Sequence, residues 1–333
     1  MKIFLAGATG AIGSALVPQL TAAGHTAVGT TRSAAKAQRL RDLGAEPVVL
    51  DALDRDAVLA AVARAKPDAI IHELTALSHV NMLKPAKAFA TTNRLRTEAV
   101  DHLLEAARAN GVERVIAQSF TSWPYARVGG PVKSESDPLD PHPPKQLRAA
   151  LEAIRHTERR VTEAGGVALR YGGFYGPGTG IAPGGGQWEM IQARKFPIVG
   201  GGGGIMSLIQ VEDAARATVA ALERWTPGEI YNVVDDDPAP VGEWAPALAQ
   251  AVGAPPPRRV PRWVGRLLGE HVVVMMCEAR GASNAKAKTM LDWEPRWKSW
   301  REGFPALAKG AAEGAVSRPG ASAPRGASSP QGA

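Results

Sequence analysis

Three glycines near the amino terminus constrain the fold of this chain more than any other feature. They stand in Gly7-Ala8-Thr9-Gly10-Ala11-Ile12-Gly13, between an apolar run at residues 2–6 and a segment with apolar residues on one helical face. Glycines at this spacing let the chain turn sharply, bring backbone N–H groups close to a pyrophosphate and pack the helix against the sheet. The start of a helix also favours an anion. The sequence therefore predicts a strand, a dinucleotide-binding turn and a helix.

The rest of the chain repeats this alternation of strand and helix. Strands that alternate with helices of ordinary length form right-handed βαβ units, with a parallel sheet covered on both faces. The predicted fold class is α/β, a Rossmann-like doubly wound parallel sheet with a small C-terminal substrate lobe. The predicted strands are residues 2–6, 26–31, 47–50, 68–72, 114–118, 167–171 and 230–234.

Composition and pattern divide the chain into a core, a lobe and a tail. Residues 1–175 are predicted to form an NAD(P)-binding Rossmann core, and residues 176–309 a substrate lobe in which 205–234 returns to the core. Residues 310–333 are rich in Gly, Ala, Ser and Pro, and Val316 is their single branched aliphatic residue. Such a segment cannot bury enough apolar surface to offset its ordering entropy, so we predict a disordered tail.

Charge and cysteine content restrict the partners and the compartment. The formal net charge of +7 invites a nucleic-acid partner, but the arginines between residues 258 and 266 lie in no nucleic-acid motif. No apolar stretch approaches the ~18 residues that a spanning helix needs. The single cysteine, Cys277, cannot form an internal disulfide, which favours a reducing compartment. We predict a cytoplasmic monomer or homodimer that binds a small-molecule substrate, with no metal, no nucleic acid and no membrane.

The end of the second strand indicates which dinucleotide is bound. An acidic residue there would hold a ribose 2′-hydroxyl and favour NAD. This chain has Thr31-Arg32-Ser33 instead, and Arg32 can pair with a 2′-phosphate while the two hydroxyl groups donate to it. NADP is therefore preferred to NAD. Asp51, at the end of the third strand, is placed to accept a hydrogen bond from the adenine amine.

Several ordered motifs resemble the extended short-chain dehydrogenase/reductase family, the NAD-dependent epimerase/dehydratase group. They are the glycine pattern, Asp51, Asn93, and residues 115–119, 169–178, 207–215 and 283–288. The likeness covers about residues 1–305 and implies a seven-stranded Rossmann sheet. The resemblance, together with the interpretation of residues 31–33, implies a set of cofactor contacts. They are Gly7, Thr9, Gly10, Ala11, Ile12, Gly13, Thr31, Arg32, Ser33, Asp51, Ala52, Leu74, Thr75, Asn93, Gln118, Ser119, Tyr171 and Phe174.

One expected motif is missing. Members of this family carry a Ser or Thr after the fifth strand and a Tyr-x-x-x-Lys pair on the next helix, where the Tyr exchanges a proton with the substrate. Aligning Glu158 with the acidic residue one turn beyond the Lys puts Ala150 and Ile154 at the two positions. Residues 147–161 contain neither Tyr nor Lys, so no small shift of register restores the pair.

Other side chains are candidates for the lost proton donor. Ser119, Thr121 or Ser122 can supply the hydroxyl group after the fifth strand. We predict that Tyr125, expected at the mouth of the cleft, acts with Thr121 or Ser122. The alternatives are Tyr175, after the sixth strand, and His156, on the helix that should carry the pair.

Three functions are compatible with these observations. The first is an NADP-dependent oxidoreductase that acts on a carbonyl, hydroxyl or conjugated alkene of a small organic molecule. Reduction of a conjugated system is included because it demands less of the missing Tyr–Lys pair. The second is an epimerase, dehydratase or cyclase that acts on a nucleotide sugar or natural product. The third is a non-catalytic regulator that senses NADP.

Overall fold

A parallel sheet of seven strands forms the centre of the computed structural model, which describes residues 1–77 and 84–316. With all strands numbered in chain order, its members are β1 (Lys2–Ala6), β2 (Thr26–Thr31), β3 (Ala45–Val49), β4 (Ala69–His72), β5 (Arg114–Phe120), β7 (Val167–Tyr171) and β12 (Ile230–Val233). They pair in the order β12-β7-β5-β4-β1-β2-β3, all parallel. The strand order reverses direction beside β1, which opens a crevice at the carboxyl edge of the sheet.

Helices cover both faces of this sheet, as its largely buried strands require. They are α1 (Ala11–Ala22), α2 (Ala37–Asp42), α3 (Arg55–Ala65), α4 (Pro85–Arg94), α5 (Val100–Ala109), α6 (Arg148–Glu163) and α8 (Val211–Glu223). One buried cluster joins the sheet to α1 and α8, and a second joins it to α3 and α5. A turn of π-helix at Leu95–Ala99 connects α4 to α5, and short 3-10 turns at Ala34–Lys36 and Lys145–Leu147 precede α2 and α6.

Most of the remaining elements build a small lobe beside the carboxyl edge of the sheet, whereas α12 (Ala285–Leu291) packs with β12 and α8 in the core. The helices of the lobe are α7 (Gly186–Gln192), α9 (Val241–Ala251), α10 (Arg262–Leu268), α11 (Glu270–Val273) and α13 (Trp300–Val316), with a second π turn at Val274–Glu278. The short strands are β6 (Val132–Lys133), β8 (Gly173–Tyr175), β9 (Ile198–Val199), β10 (Ile205–Met206), β11 (Leu208–Gln210), β13 (Ala239–Pro240), β14 (Arg259–Val260) and β15 (Gly281–Ala282). A cluster of aromatic side chains fills the lobe, including Tyr175, Trp188, Trp244, Trp300 and Phe304. None of the helices in the described ranges is both long and apolar enough to cross a membrane.

The predicted fold class is confirmed, including the seven strands and their parallel arrangement. The prediction for the carboxyl terminus is wrong at its start, because α13 continues to Val316 and so includes the first seven residues of the segment predicted to be disordered. Alanine, which is frequent here, has the highest helix propensity. Lys309 and Glu313, one turn apart in the sequence, form an ion pair at 4.0 Å that stabilises the helix further. Residues 317–333 of that segment lie outside the described residues.

Candidate active site

The glycine turn has the shape that a bound pyrophosphate requires. Gly7 has a φ of +99°, and a Cβ there would lie 2.7 Å from the carbonyl oxygen of Glu73. A Cβ at Gly13 would lie 2.3 Å from the carbonyl oxygen of Gly7, so α1 packs directly against the turn. Gly10 precedes α1 without a side-chain cap, which leaves the first amides of the helix free for an anion. The residues present therefore fit a dinucleotide.

The predicted adenosine end of the site lies at the carboxyl ends of β2 and β3. The hydroxyl group of Thr31 accepts a hydrogen bond from the amide of Ser33 at 3.2 Å, which fixes the turn after β2. Arg32 is exposed, and its guanidinium reaches no hydrogen-bond acceptor within the described ranges. Asp51 is exposed and accepts from the amide of Leu53 at 3.0 Å through one oxygen, with the buried Ala52 beside it.

Two predicted cofactor residues carry buried polar atoms without a partner. Nε2 of Gln118, near the end of β5, and Oδ1 of Asn93, on α4, make no hydrogen bond with the described part of the chain. Buried polar atoms are normally paired, so both side chains suit a polar ligand at this edge. Leu74 and Thr75 follow β4 at the same edge, the first half-buried and the second exposed.

The structure separates the three hydroxyl groups that the sequence left as alternatives. Ser119 donates to Oε1 of Glu158 at 2.6 Å, and the hydroxyl oxygen of Ser122 accepts from the amide of Ser207 at 3.2 Å. Thr121 alone among these three has a buried hydroxyl group with no partner in the described chain. Thr121 is therefore the candidate whose hydroxyl group is not already engaged, although its side chain is completely buried.

The expected position of Tyr125 at the mouth of the cleft is wrong. Its side chain is completely buried, and its hydroxyl group donates to Oδ1 of Asn232 at 2.7 Å and accepts from Nη1 of Arg170 at 3.0 Å. Burial raises the pKa of the Tyr125 phenol, against the opposing effect of the Arg170 charge. Pro124 and the loop that pairs with Leu139 turn the ring inward, so Tyr125 stabilises the buried network instead of facing a cleft.

The two alternative proton donors, Tyr175 and His156, lie in different surroundings. Tyr175 is buried in the lobe, edge-on to Phe304 at 5.5 Å between ring centroids, and burial raises the pKa of its phenol. His156 lies on the outer side of α6, where Nε2 is 3.0 Å from Asp101. The Tyr175 hydroxyl group is buried without a hydrogen-bond partner in the described chain, whereas His156 is paired at the side of α6.

The two positions on α6 that the sequence predicts for the family's Tyr and Lys belong to an apolar cluster. Ala150 and Ile154 are both buried, and they pack with Trp123, Leu147, Leu151 and Ala279, with Phe89 and Phe120 at the margin. Neither of these two positions therefore presents a group that could donate or accept a proton.

The ring of Phe174 packs on Tyr171, with 5.3 Å between centroids. Tyr171 itself points into the core, where its hydroxyl group donates to Oε1 of Glu73 at 2.9 Å and lies 2.7 Å from Oγ1 of Thr218. Only the backbone of Tyr171 remains at the carboxyl edge, where its carbonyl oxygen accepts from the amide of Thr121.

Sequence reasoning missed several buried ionisable residues, among them Glu73 and Arg96. Burial raises the pKa of the Glu73 carboxyl to about 8, although the hydrogen bond from Tyr171 opposes the shift. A charged residue directly after the apolar strand 69–72 was a signal for Glu73. Arg96 lies in a helical segment with many polar residues, so nothing in the sequence distinguished it from a solvated side chain.

Glu73 predicts how stability depends on pH. Between pH 4.5 and about 8 the folded protein keeps the Glu73 proton and the unfolded chain has released it, so the free energy of unfolding falls as pH rises through this window. We expect Glu73→Gln to remove this loss, on the order of 1–3 kcal/mol between pH 5 and pH 8.5. Urea unfolding at the two pH values measures it.

Glu46→Gln is the matched control, because Glu46 is exposed on β3. Burial also raises the pKa of Asp235 to about 8. Asp235 therefore adds the same pH dependence to the free energy of unfolding of the wild type and of both variants. Equal pH dependence of the wild type and Glu73→Gln would show that Glu73 is ionised in the folded protein.

Comparison with known proteins gives consistent findings. Residues 3–234 match the NAD dependent epimerase/dehydratase family. A Streptomyces protein, 3-diazoavenalumate denitrifying reductase, is 44% identical over 91% of this chain and 99% of its own length. The UDP-glucose 4-epimerase of Thermotoga maritima has a similar structure, with a TM-score of 0.75 and 21% identity, covering 95% of this chain and 100% of that one. The UDP-glucose 4-epimerase of Thermus thermophilus in complex with NAD gives a TM-score of 0.72 at 22% identity, covering 93% and 98%.

Proposed function

We propose that this chain, which belongs to the NAD dependent epimerase/dehydratase family, is an NADPH-dependent reductase. In the proposed reaction it replaces the diazo group of a conjugated carboxylate with hydrogen. Family membership makes it an enzyme of the extended oxidoreductase and epimerase group. The 44% identical relative, whose name describes the denitrifying reduction of a diazo carboxylate, supports the finer assignment.

The observation that carries this proposal is the buried apolar cluster at Ala150 and Ile154, the positions predicted for the family's Tyr and Lys. Reduction of a carbonyl group produces an alkoxide that must be protonated, and epimerisation begins with removal of a hydroxyl proton. Replacement of a diazonium group needs neither step. Hydride forms the new C–H bond, the C–N bond breaks, and its electron pair leaves with neutral N₂. The charges balance without a proton donor, so a site without the Tyr–Lys pair suits this reaction.

The side chains of the chain divide the remaining work. The amides of the glycine turn bind the pyrophosphate, Arg32 with Thr31 and Ser33 binds the 2′-phosphate, and Asp51 binds the adenine. When bound, the reduced dinucleotide supplies the hydride. The apolar cluster around Ile154 excludes water, which would otherwise replace N₂ by a hydroxyl group. The free hydroxyl group of Thr121 orients the substrate.

Turnover of diazonium compounds tests the proposal. The diazonium salts of 3-aminocinnamate and 3-amino-4-hydroxycinnamate are incubated with protein and NADPH deuterated at the transferred position. We expect NADPH oxidation, N₂ release, and one deuterium in the cinnamate product by mass spectrometry. Heat-inactivated protein is the control. Oxidation of NADPH by simple aldehydes and ketones, with none by the diazonium salts, would contradict the proposal.

Reduction of a conjugated alkene is the second candidate function. The unpartnered hydroxyl group of Thr121 favours it, because hydride addition to an enone needs a hydrogen-bond donor for the enolate oxygen. Enones in the same assay separate the two functions.

The choice of NADP rests on Arg32, and its replacement is a direct test. We expect Arg32→Ala to raise the Kd of NADPH about 10- to 100-fold, because a charge-assisted hydrogen bond contributes about 1.5–3 kcal/mol. The Kd of NADH, which lacks the 2′-phosphate, should change little. Fluorescence titration measures both constants, with Arg41→Ala as a control because Arg41 is exposed on α2. Tighter binding of NADH than NADPH by the wild type would refute the role of Arg32.

A further inference from the structure

Arg96 is a buried cation without a partner. It lies in the π turn between α4 and α5, and its relative exposure is 5%. Its Nε is buried without a hydrogen bond, and no other nitrogen of the guanidinium reaches an acceptor within the described ranges. The hydroxyl group of Thr157 donates to the backbone carbonyl of Arg96 at 2.7 Å, which fixes the turn but leaves the side chain free.

The nearest buried carboxylate is already occupied. Oε1 of Glu158 accepts from Ser119 at 2.6 Å and from Nε of Arg170 at 2.7 Å, and Oε2 accepts from Nη2 of Arg170 at 2.7 Å. His72, which also lies near Arg96, is kept neutral at physiological pH because burial lowers its pKa. The surroundings therefore carry an excess of positive charge. A buried charge without a partner is destabilising by several kcal/mol, and an anion would remove that penalty.

Arg96 lies at the carboxyl edge of the sheet, and residues on both sides of it in the sequence line a groove. Nε2 of His72 is 3.0 Å from the carbonyl oxygen of Leu95, so the π turn lies at the carboxyl edge of β4. Asn93, one turn before Arg96, and Glu158 both line an open groove of about 960 Å³ between α4 and α6. Arg96 itself does not line this groove, and its guanidinium lies buried behind the residues that do.

The phosphates of a dinucleotide are not this anion. The glycine turn follows β1 and Arg32 follows β2, both on the side of β4 away from β5 and α6. Arg96 lies on the α6 side, where its carbonyl contacts Thr157. The dinucleotide and the substrate are the two molecules expected in the site. The anion that pairs with Arg96 therefore has to come from the substrate.

We propose that the Arg96 guanidinium binds the carboxylate of the substrate and makes the enzyme select anionic substrates over neutral ones. The planar fork of a guanidinium matches the two oxygens of a carboxylate. This inference rests on the proposed function for the identity of the substrate, whereas the site itself rests on the buried, unpaired charge.

Binding of 4-hydroxycinnamate and of its methyl ester, with NADP⁺ present, tests the site without turnover. We expect the acid to raise the melting temperature of the wild type and the ester to leave it unchanged. Arg96→Met, which keeps the length of the side chain but not the charge, should lose the response to the acid. It should bind NADPH as the wild type does and be at least as stable without ligand, because it loses an unpaired buried charge. Arg94→Met is the matched control, since Arg94 is an exposed neighbour paired with Glu98.

Kinetics provides a second measurement. For the diazonium salt of 3-aminocinnamate, Arg96→Met should raise KM about 30- to 100-fold, with the KM of the methyl ester unchanged and partial recovery in Arg96→Lys. If no diazo compound turns over but the acid still stabilises the wild type and not Arg96→Met, the proposed function fails and the anion site stands. The proposed site is wrong if Arg96→Met still prefers the acid to the methyl ester as strongly as the wild type does. It is also wrong if Arg96→Met loses both its stability and its binding of NADPH.

Discussion

Replacing Gly13 with alanine is expected to abolish dinucleotide binding. The added Cβ would lie 2.3 Å from the carbonyl oxygen of Gly7 and 2.7 Å from the Cα of Ala8. Both are backbone atoms, so the clash is relieved only if α1 moves away from the turn and its amides leave the pyrophosphate site. We expect the Kd of NADPH to rise at least ~100-fold, about 2.7 kcal/mol, in a fluorescence titration.

Gly186→Ala is the control for this substitution. A Cβ at Gly186 meets no atom within 4 Å and its φ is not positive, so the same chemical change should leave dinucleotide binding intact. Binding by Gly13→Ala with an affinity close to that of the wild type would show that the dinucleotide does not lie on this turn.

The second large effect is expected at Glu158, where Glu158→Gln should destabilise the fold by about 3–5 kcal/mol. The carboxylate is buried and holds Arg170 through two hydrogen bonds, with Ser119 as a third donor. A neutral amide would leave the Arg170 charge buried without an anion and next to Arg96. Urea unfolding at neutral pH measures the loss. Glu152→Gln, on the exposed side of the same helix, removes only a surface pair with Arg155 and should change stability by less than about 1 kcal/mol.

A double variant separates the charge from the packing. Glu158→Leu combined with Arg170→Met removes both charges and keeps apolar volume, so it should recover much of the stability lost by Glu158→Gln. If Glu158→Gln is as stable as the wild type, Arg170 must have another anionic partner and the account of the buried network is wrong.

The local pattern of the sequence was sufficient for the fold. The apolar run at residues 2–6, the glycines and the amphipathic segment after them form β1 over the predicted residues, the turn and α1. Each of these features depends on neighbours in the chain, because strand burial, helical periodicity and glycine turns are local properties. The roles of the cofactor residues stay predictions, with the shape of the turn and the unpartnered atoms of Gln118 and Asn93 in their support.

The active site was less accessible to the same reasoning. Ser119, Thr121 and Ser122 are equivalent as letters, yet two of them are occupied by Glu158 and by the amide of Ser207, which are 39 and 85 residues away. The position of Tyr125 in the sequence made it a reasonable candidate. In the structure its hydroxyl group donates a hydrogen bond to Asn232, 107 residues later, in the core.

The sequence by itself determined the Rossmann sheet, the glycine turn and the absence of Tyr and Lys from residues 147–161, because each is a pattern of adjacent or regularly spaced residues. Only the tertiary structure decided which polar atoms are free. It left Thr121 without a partner, turned Tyr125 inward, and buried Arg96 beside a carboxylate that Arg170 already holds. The physical reason is that the free energy of a polar group depends on its burial and its partners, and in a parallel sheet those partners come from distant parts of the chain.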